Sequence, residues 1–208
     1  MAKVKICGLR DEAMLRVAAE AGADWVGFVF FAKSSRATDP DTVARLLQDH
    51  DGTAVGLLVD ADNRLIDQVM SAGISTLQLH GQETPERVAE VKARTDAEVW
   101  KACGISSASD LDALWAYEAA DRFLLDARPP SGSDVPGGHG ATFDWALLKD
   151  WHAPKPWLLA GGLTPDNVAD AIAATGAAAV DVSSGVERAR GVKDEALICS
   201  FIAAAKTA

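Results

Sequence analysis

The stretch Val4-Lys5-Ile6-Cys7-Gly8-Leu9 is a short, mainly apolar run that delivers a thiol into a glycine. Asp11 and Glu12 follow and are typical of a helix start, so the pattern predicts a strand, then a helix, with Cys7 where the strand ends. In parallel sheets and barrels catalytic groups stand at strand ends, because the strand fixes the side chain and the next loop leaves it open to a ligand. A buried core cysteine is the alternative, since free cysteine is among the most buried residue types.

The composition narrows the class of protein. The chain has 208 residues, 49% of them hydrophobic, which suffices for a substantial core, and single barrels begin near this length. A net charge of -10 argues against nucleic acid or an anionic membrane as partner, because phosphate groups attract basic surfaces. Three cysteines without metal-like spacing indicate a reducing compartment, so we expect a cytoplasmic protein. The first residues lack the apolar core of a signal peptide, and no apolar run approaches the roughly 18 residues of a spanning helix.

Helical and strand patterns alternate along the whole chain. A helix, a glycine and a strand recur around Gly22, Gly73 and Gly176, as expected of a repeated βα unit. Eight short apolar strands can be counted, with one helix expected over residues 111–117 and another starting near Pro165. The pattern favours an α/β protein, a single (β/α)8 TIM barrel forming one domain over residues 1–208. An open, doubly wound parallel sheet is the alternative fold.

The connection over residues 127–142 interrupts this regularity. It holds three prolines and four glycines and follows Asp126 directly. Structureless loops of this length are usually functional, so we expect it to lie over the barrel mouth as a lid. Gly137-Gly138-His139-Gly140 is interpreted as part of that lid, because no strand precedes it immediately as a nucleotide-binding loop requires.

A closed barrel makes the ends of the first and sixth strands share one mouth. Cys7 and Asp126 then become a candidate base and acid that face a common ligand. The residues leave a plainer alternative open, in which Asp126 caps a turn or pairs with Arg128.

Two glycine-rich turns follow the predicted seventh and eighth strands. Gly161 and Gly162 stand in the first turn, and Ser183, Ser184 and Gly185 stand in the second. Glycines let backbone N–H groups approach an anion, and the loops after these two strands are the usual phosphate site of such barrels. We therefore expect a phosphate site built from the backbone, which needs no basic patch. A pair of ordinary tight turns is the alternative.

The remaining polar residues give weaker indications of a binding or catalytic site. No two of the four histidines have the spacing of a metal-ligand pair, so no metal is expected. Arg36, just past the second strand, offers a guanidinium to a carboxylate or phosphate, with a solvated surface loop as the alternative.

Several stretches in chain order match one known family. They are Lys5-Ile6-Cys7-Gly8-Leu9, Gly27-Phe28-Val29-Phe30, Leu77-Gln78-Leu79-His80-Gly81, Trp100-Lys101-Ala102, Leu124-Leu125-Asp126, Thr142-Phe143-Asp144-Trp145, Ala160-Gly161-Gly162-Leu163, Asp181-Val182-Ser183-Ser184-Gly185-Val186-Glu187 and Lys193-Asp194. Together these stretches span the chain, and the sequence resembles phosphoribosylanthranilate isomerase.

The resemblance implies a barrel enzyme of tryptophan biosynthesis that needs no cofactor. Its substrate would be a small phosphosugar-anthranilate, N-(5'-phosphoribosyl)anthranilate, converted to 1-(2-carboxyphenylamino)-1-deoxyribulose 5-phosphate by an Amadori rearrangement. By the family's pattern, Asp126 is the general acid that protonates the ring oxygen, and Cys7 is the general base that removes the C2' proton. Arg36 would hold the anthranilate carboxylate, and Gln78 and His80 would line the mouth. The phosphate would be held by backbone groups around Gly161, Gly162, Ser183, Ser184 and Gly185. We expect a monomer or a homodimer.

The chain also departs from the family's pattern. Ala32, Ser35 and Ala37 stand around Arg36 where the family has proline, proline and an aromatic residue. Arg190 replaces a proline, and His139 takes a lid position usually held by a small hydroxyl residue.

Two competing functions are weighed against this one. A related phosphosugar isomerase of histidine biosynthesis resembles this family but has an aspartate where Cys7 stands. A catalytically silent phosphate-binding module would be expected to lack Cys7 or Asp126, and both are present. Of the other cysteines, we expect Cys103 near the mouth and Cys199 buried on the last helix.

Overall fold

A closed barrel of parallel strands organises the chain. The computed structural model describes residues 1–128, 140 and 142–208. Within them, eight strands pair in sequence order and the eighth closes on the first. The strands are β1 (Lys3–Cys7), β2 (Trp25–Val29), β3 (Thr53–Leu58), β4 (Thr76–Leu79), β5 (Glu98–Ile105), β6 (Arg122–Ala127), β7 (Trp157–Leu159) and β8 (Ala179–Val182).

Helices and short turns connect the strands. The helices are α1 (Glu12–Glu20), α2 (Pro40–Leu46), α3 (Asn63–Ser71), α4 (Pro85–Arg94), α5 (Ala108–Asp112), α6 (Val168–Thr175) and α7 (Glu195–Thr207). Short 3-10 turns span Ala113–Ala116, Trp145–Leu148 and Ser184–Val186, and a hairpin of β9 (Glu187–Ala189) and β10 (Val192–Lys193) precedes α7. No helix in the described ranges combines the length and apolarity needed to cross a membrane.

Local sequence signals explain where the helices begin. Asp11, Asp39, Asp62 and Asp194 each accept a hydrogen bond from a backbone N–H in the first turn of the helix that follows. Such side-chain caps satisfy donors that the helix itself leaves free. At the opposite end of α6, Gly176 adopts a φ of 68°, the left-handed conformation that ends helices at little steric cost.

Two separate apolar layers pack against the strands. One layer lies between strands and helices. The second fills the barrel interior and comes from alternate strand positions, as a period of two requires; it comprises Trp25, Val55, Trp100, Ala102, Leu124, Leu158, Ala160 and Ala179. Strand register places the polar side chains on this inner face too: Lys5 pairs with Trp25, Cys7 with Gly27, and Asp126 lies two residues after Leu124. The barrel thus presents selected polar groups inside its rim.

The (β/α)8 TIM barrel predicted from the repeat is confirmed, and the open-sheet alternative is wrong. The helix expected over residues 111–117 begins earlier, at Ala108, and ends in a 3-10 turn. The Asp110 carboxylate explains the early start, because it accepts hydrogen bonds from the N–H groups of Ser106 (2.8 Å) and Ser107 (2.9 Å).

The helix expected from Pro165 begins at Val168 instead. The Asn167 side chain accepts from the Thr164 N–H (2.8 Å) and donates to the Gly162 carbonyl (3.0 Å). These two bonds hold residues 164–167 in a turn, so the helix starts after it.

Two expectations about cysteines need correction. Cys199 is exposed, not buried, because α7 turns a different face, with Ile198 and Phe201, toward the barrel. Cys103 lies within β5 next to the inward-facing Ala102, so it faces the helix layer and not the mouth. Burial raises the pKa of the Cys103 thiol to about 11. The predicted lid, including Gly137-Gly138-His139, falls outside the described residues except for its ends and Gly140.

Candidate active site

The ends of β1 and β6 bring Cys7 and Asp126 to the same rim of the barrel. Both side chains lie on the inner face, since they share the register of the interior layer. The carboxyl ends of strands carry the active site in barrels of this type. The predicted base and acid are therefore on the face where a common ligand could contact both.

Backbone and side-chain contacts fix Cys7. The N–H groups of Gly8 and Leu9 both donate to the Gly27 carbonyl, at 2.9 and 3.0 Å. Gly8 has a φ of 81°, which favours glycine and turns the chain out of the strand. The Ser183 hydroxyl donates to the Cys7 carbonyl at 3.1 Å. These contacts fix the main chain at Cys7, and burial restricts the side chain, since only 3% of the residue is exposed.

The charges around Cys7 act in opposite directions on its thiol. Burial raises the pKa of Cys7, as expected for a group whose charged form loses hydration. The Lys5 ammonium opposes this effect and lowers the pKa, Asp181 raises it, and Lys193 lowers it. Two cations and one carboxylate thus act on a thiol that must lose its proton to serve as a base.

A polar chain extends from Asp126 across the mouth. Its Oδ1 accepts from the Ala127 N–H at 2.8 Å, and its Oδ2 lies 3.5 Å from His80 Nε2. His80 Nδ1 is 2.8 Å from Gln78 Nε2. An amide nitrogen only donates, so in this arrangement Nδ1 accepts and a neutral His80 ring carries its proton on Nε2, facing Asp126. Gln78 and His80, expected to line the mouth, are thus linked to the proposed acid.

The Gln78 side chain has a further free group. Its Oε1 is buried and accepts no hydrogen bond within the described part of the chain, although Gln78 is fully buried. Buried polar atoms are normally paired, and exceptions often lie at functional sites.

Arg36 lies beside the mouth in a buried ion pair. Its Nε and Nη2 donate to the two oxygens of Glu187 at 2.6 and 2.9 Å. Lys193 Nζ is 3.0 Å from Glu187 and also donates to the Ser183 carbonyl at 2.8 Å. Burial by itself would raise the pKa of Glu187, but the hydrogen bond from Arg36 and the charge of Lys193 lower it to about 2. The solvated-loop alternative for Arg36 is thereby wrong, and its predicted carboxylate contact stays a prediction.

The two glycine-rich turns contact each other. Gly161 and Gly162 have φ values of 89° and 62°. A Cβ on Gly161 would lie 2.7 Å from the Ala127 nitrogen and 3.0 Å from Asp126 Oδ1, so this turn packs directly against the proposed acid. A Cβ on Gly185 would lie 1.8 Å from the Leu163 carbonyl oxygen, which requires glycine where the second turn meets the first.

Backbone donors are available on both turns. The N–H groups of Gly161, Gly162, Ser184 and Gly185 donate no hydrogen bond to any residue in the described ranges. Free N–H groups on adjacent turns form the kind of concavity that binds anions. The geometry is therefore compatible with the predicted phosphate site.

Lys5 and Asp181, for which the sequence suggested no role, form a buried ion pair inside the barrel (2.7 Å). The signal was available, because a lysine between Val4 and Ile6 in a buried strand is rarely unpaired. Its partner, 176 positions later, becomes recognisable only when the barrel closes.

Comparison with known proteins places the chain in a family. The family model described as N-(5'phosphoribosyl)anthranilate (PRA) isomerase matches residues 4–204. A relative of that name from Hyphomonas neptunium is 54% identical over 206 residues, covering 99% of this chain and 98% of the relative. Another, from Paracoccus denitrificans, is 55% identical over 206 residues and covers 97% and 96%.

Solved structures agree with this result. The phosphoribosyl anthranilate isomerase from Thermotoga maritima superimposes with a TM-score of 0.87 at 34% identity, covering all of both chains. A phosphoribosyl anthranilate isomerase in complex with reduced 1-(o-carboxyphenylamino)-1-deoxyribulose 5-phosphate gives a TM-score of 0.84 at 33% identity, again with full coverage. The chain therefore belongs to the N-(5'-phosphoribosyl)anthranilate isomerase family.

Proposed function

We propose that the protein converts N-(5'-phosphoribosyl)anthranilate to 1-(2-carboxyphenylamino)-1-deoxyribulose 5-phosphate by an Amadori rearrangement, with Asp126 as general acid and Cys7 as general base. The observation that carries this proposal is the position of both groups on the inner face of one rim, in a chain of this isomerase family. The proposed steps are proton transfers with no net oxidation or reduction, so they call for no redox cofactor, and the resemblance to the family implies no cofactor of any kind.

The proposed reaction has two proton transfers. Asp126 gives its proton to the ribose ring oxygen, the bond from that oxygen to C1' breaks, and the anthranilate nitrogen supplies the electron pair for a C1' iminium. Cys7 as thiolate then takes the proton from C2', which becomes acidic beside the iminium, and the enolamine tautomerises to the ketone. Each group needs a defined protonation state before its step, as general acid–base catalysis requires.

The proposed phosphate contacts lie on the two glycine-rich turns. Backbone groups around Gly161, Gly162, Ser183, Ser184 and Gly185 would bind the 5'-phosphate, and their free N–H groups support this assignment. Because the first turn packs against Asp126, a phosphate bound there would also align the ribose with the acid. Binding energy from a group remote from the reacting atoms can then serve orientation.

The proposed carboxylate contact is Arg36. Glu187 occupies two of its nitrogens and holds the guanidinium rigidly, while Nη1 forms no hydrogen bond within the described ranges. We assign Nη1 to the anthranilate carboxylate. Gln78 and His80 would contact the substrate beside Asp126, with the free Gln78 Oε1 as an acceptor for a substrate hydroxyl.

A fluorescence assay tests this function. Purified protein without added cofactor should consume N-(5'-phosphoribosyl)anthranilate, followed through the fluorescence of the anthranilate ring, and inorganic phosphate at tens of millimolar should compete, a range expected for a weakly bound fragment. Conversion that does not occur would refute the isomerase proposal. Conversion without phosphate competition would refute the proposed phosphate contacts only.

We also propose that the enzyme acts in the cytoplasm, as a monomer or a homodimer. All three cysteines are free, which suits a reducing compartment. The isomerase from Thermotoga maritima is described as dimeric, and a structure of monomers generated from it has also been solved. Light scattering of the purified protein distinguishes the two states.

A further inference from the structure

A buried lysine lies directly beneath the proposed base. Lys5 precedes Cys7 by two positions in β1, so both side chains point into the barrel. Lys5 is fully buried, and its ammonium lies 2.7 Å from Asp181 Oδ1 on the neighbouring strand β8. An ammonium buried this deeply is expected only with a partner, because the loss of hydration is otherwise too costly.

Gly27 shows how close Lys5 and Cys7 are. A Cβ at this position of β2 would lie 3.0 Å from Cys7 Sγ and 3.0 Å from Lys5 Nζ. The sulfur and the ammonium nitrogen are therefore within about 6 Å of each other, and a side chain at Gly27 would crowd both. Opposite charges at this separation influence each other's protonation strongly in a buried site.

The charges that face Cys7 come from three elements. Lys5 lies on β1, Asp181 on β8 and Lys193 on β10. Lys193 is itself engaged by Glu187, which also holds Arg36. Burial would lower the pKa of Lys5, but Asp181 and Cys7 raise it, so Lys5 keeps its charge. Lys5 is thus a buried cation, paired with Asp181, next to the sulfur.

We propose that Lys5, held in place by Asp181, is the counter-ion that stabilises the Cys7 thiolate during the reaction. Lys5 is then a positioning residue that acts through Cys7 and does not touch the substrate. Asp181 has two effects: it keeps the ammonium buried in the right place, and it limits how far Lys5 favours the thiolate. The inference deepens the proposed function, since it rests on Cys7 as the base.

The test measures Cys7 directly, in a Cys103→Ser, Cys199→Ser background where Cys7 is the single thiol. The rate of iodoacetamide alkylation against pH reports the thiolate, independently of turnover. Lys5→Met removes the charge and keeps the length of the side chain. We expect the alkylation midpoint to rise by about one to two pH units. At pH values below the midpoint of the variant, its kcat should be about 10 to 100-fold lower than that of wild type, while its KM stays within about threefold. The kcat of the variant should recover as the pH rises.

Further variants distinguish an electrostatic role from a structural one. Asp181→Asn should move the midpoint the opposite way, to lower pH, while the Lys5→Met, Asp181→Asn double variant should fall between wild type and Lys5→Met. The double variant leaves no unpaired charge, so it remains informative if Lys5→Met does not fold. Lys101→Met is the matched control, because Lys101 is a buried lysine paired with Glu83 (3.0 Å) that does not act on Cys7. Its midpoint should equal that of wild type.

Two outcomes would overturn the proposal. The first is an alkylation midpoint that stays at the wild-type pH in the folded Lys5→Met variant or in the folded double variant. The second is a midpoint that moves in the same direction in Lys5→Met and in Asp181→Asn. A third outcome separates this inference from the proposed function. If the midpoint moves as expected while kcat at every pH stays at the wild-type value, Lys5 is the counter-ion of Cys7 but Cys7 is not the base.

Discussion

The side chain of Cys7 is expected to contribute more to catalysis than to the stability of the fold. Its small side chain fills little of the barrel interior, and its carbonyl, not its thiol, forms the structural hydrogen bond with Ser183. Cys7→Ala should therefore lower kcat by about 100 to 10,000-fold, the usual contribution of a general base, and leave product affinity nearly unchanged. Steady-state kinetics and a product titration measure the two quantities. Cys103→Ala, on the helix side of β5, is the control and should keep the wild-type kcat. A Cys7→Ala enzyme that retained a tenth of the wild-type kcat would exclude Cys7 as the base.

Asp126 is tested by a variant that keeps its shape. Asparagine can still accept the Ala127 N–H bond (2.8 Å) but has no carboxyl proton to give. Asp126→Asn should lose about 100 to 10,000-fold in kcat at every pH, because no titration can restore the missing acid. The full pH profile is the measurement, with Asp166→Asn, exposed beside the first glycine-rich turn, as the control. Activity that returns in acid would contradict the assignment.

At the scale of elements, the turn after β7 is organised by a single side chain. Asn167 bonds both the Thr164 N–H and the Gly162 carbonyl, so it holds the glycine-rich turn in shape. Asn167→Ala should weaken binding of inorganic phosphate and raise KM by several-fold, since two hydrogen bonds of about 1 kcal/mol each are lost from the turn. The change in kcat should be smaller. Competition kinetics measure both, with Asn63→Ala at the start of α3 as a control; unchanged phosphate affinity would show that the turn keeps its shape without Asn167.

The hairpin of β9 and β10 depends on the charge of Glu187. The pKa of Glu187 is about 2 in the folded chain against an ordinary 4.5, so its ionised form stabilises the fold. That stabilisation is complete above about pH 4.5 and is lost as the pH falls toward 2. Glu187→Gln should be less stable than wild type by about 3 kcal/mol at neutral pH, and the gap should close in acid.

Urea unfolding of wild type and Glu187→Gln at pH 7, 5, 4 and 3 measures that gap. Glu20→Gln, at the exposed end of α1, is the control and should match wild type throughout. A gap that stays constant with pH would mean that Glu187 contributes by packing and not by its charge.

For the whole molecule, the sequence was sufficient to predict the features that follow from a periodic pattern or from neighbouring residues. The repeat of helix, glycine and strand predicted the closed barrel, and the strand ends predicted that Cys7 and Asp126 share a rim. Contacts between distant segments were out of reach. Lys5 with Asp181 and Arg36 with Glu187 each join residues more than 150 positions apart, and nothing local in either segment identifies the partner. The early start of α5 was missed because a single side chain, Asp110, overrode the apolar period. That residues 1–208 form one domain stays a prediction.

The closed barrel needs a filled interior below the active rim, and Trp25 supplies much of it. Trp25 is 7% exposed and meets Trp100 edge-on with ring centroids 5.4 Å apart, while Lys3 and Arg122 lie over its ring at 5.3 and 5.4 Å. Trp25→Ala should lower the free energy of unfolding by about 3 to 5 kcal/mol, because the apolar contacts are lost and a cavity remains.

Trp115→Ala is the matched control for Trp25→Ala. Trp115 is 60% exposed, so its replacement should change the free energy of unfolding by at most about 0.5 kcal/mol. Urea unfolding measures both variants. Equal stability of the two would show that the interior tolerates a void the size of an indole, and that the helix layer alone stabilises the closed barrel.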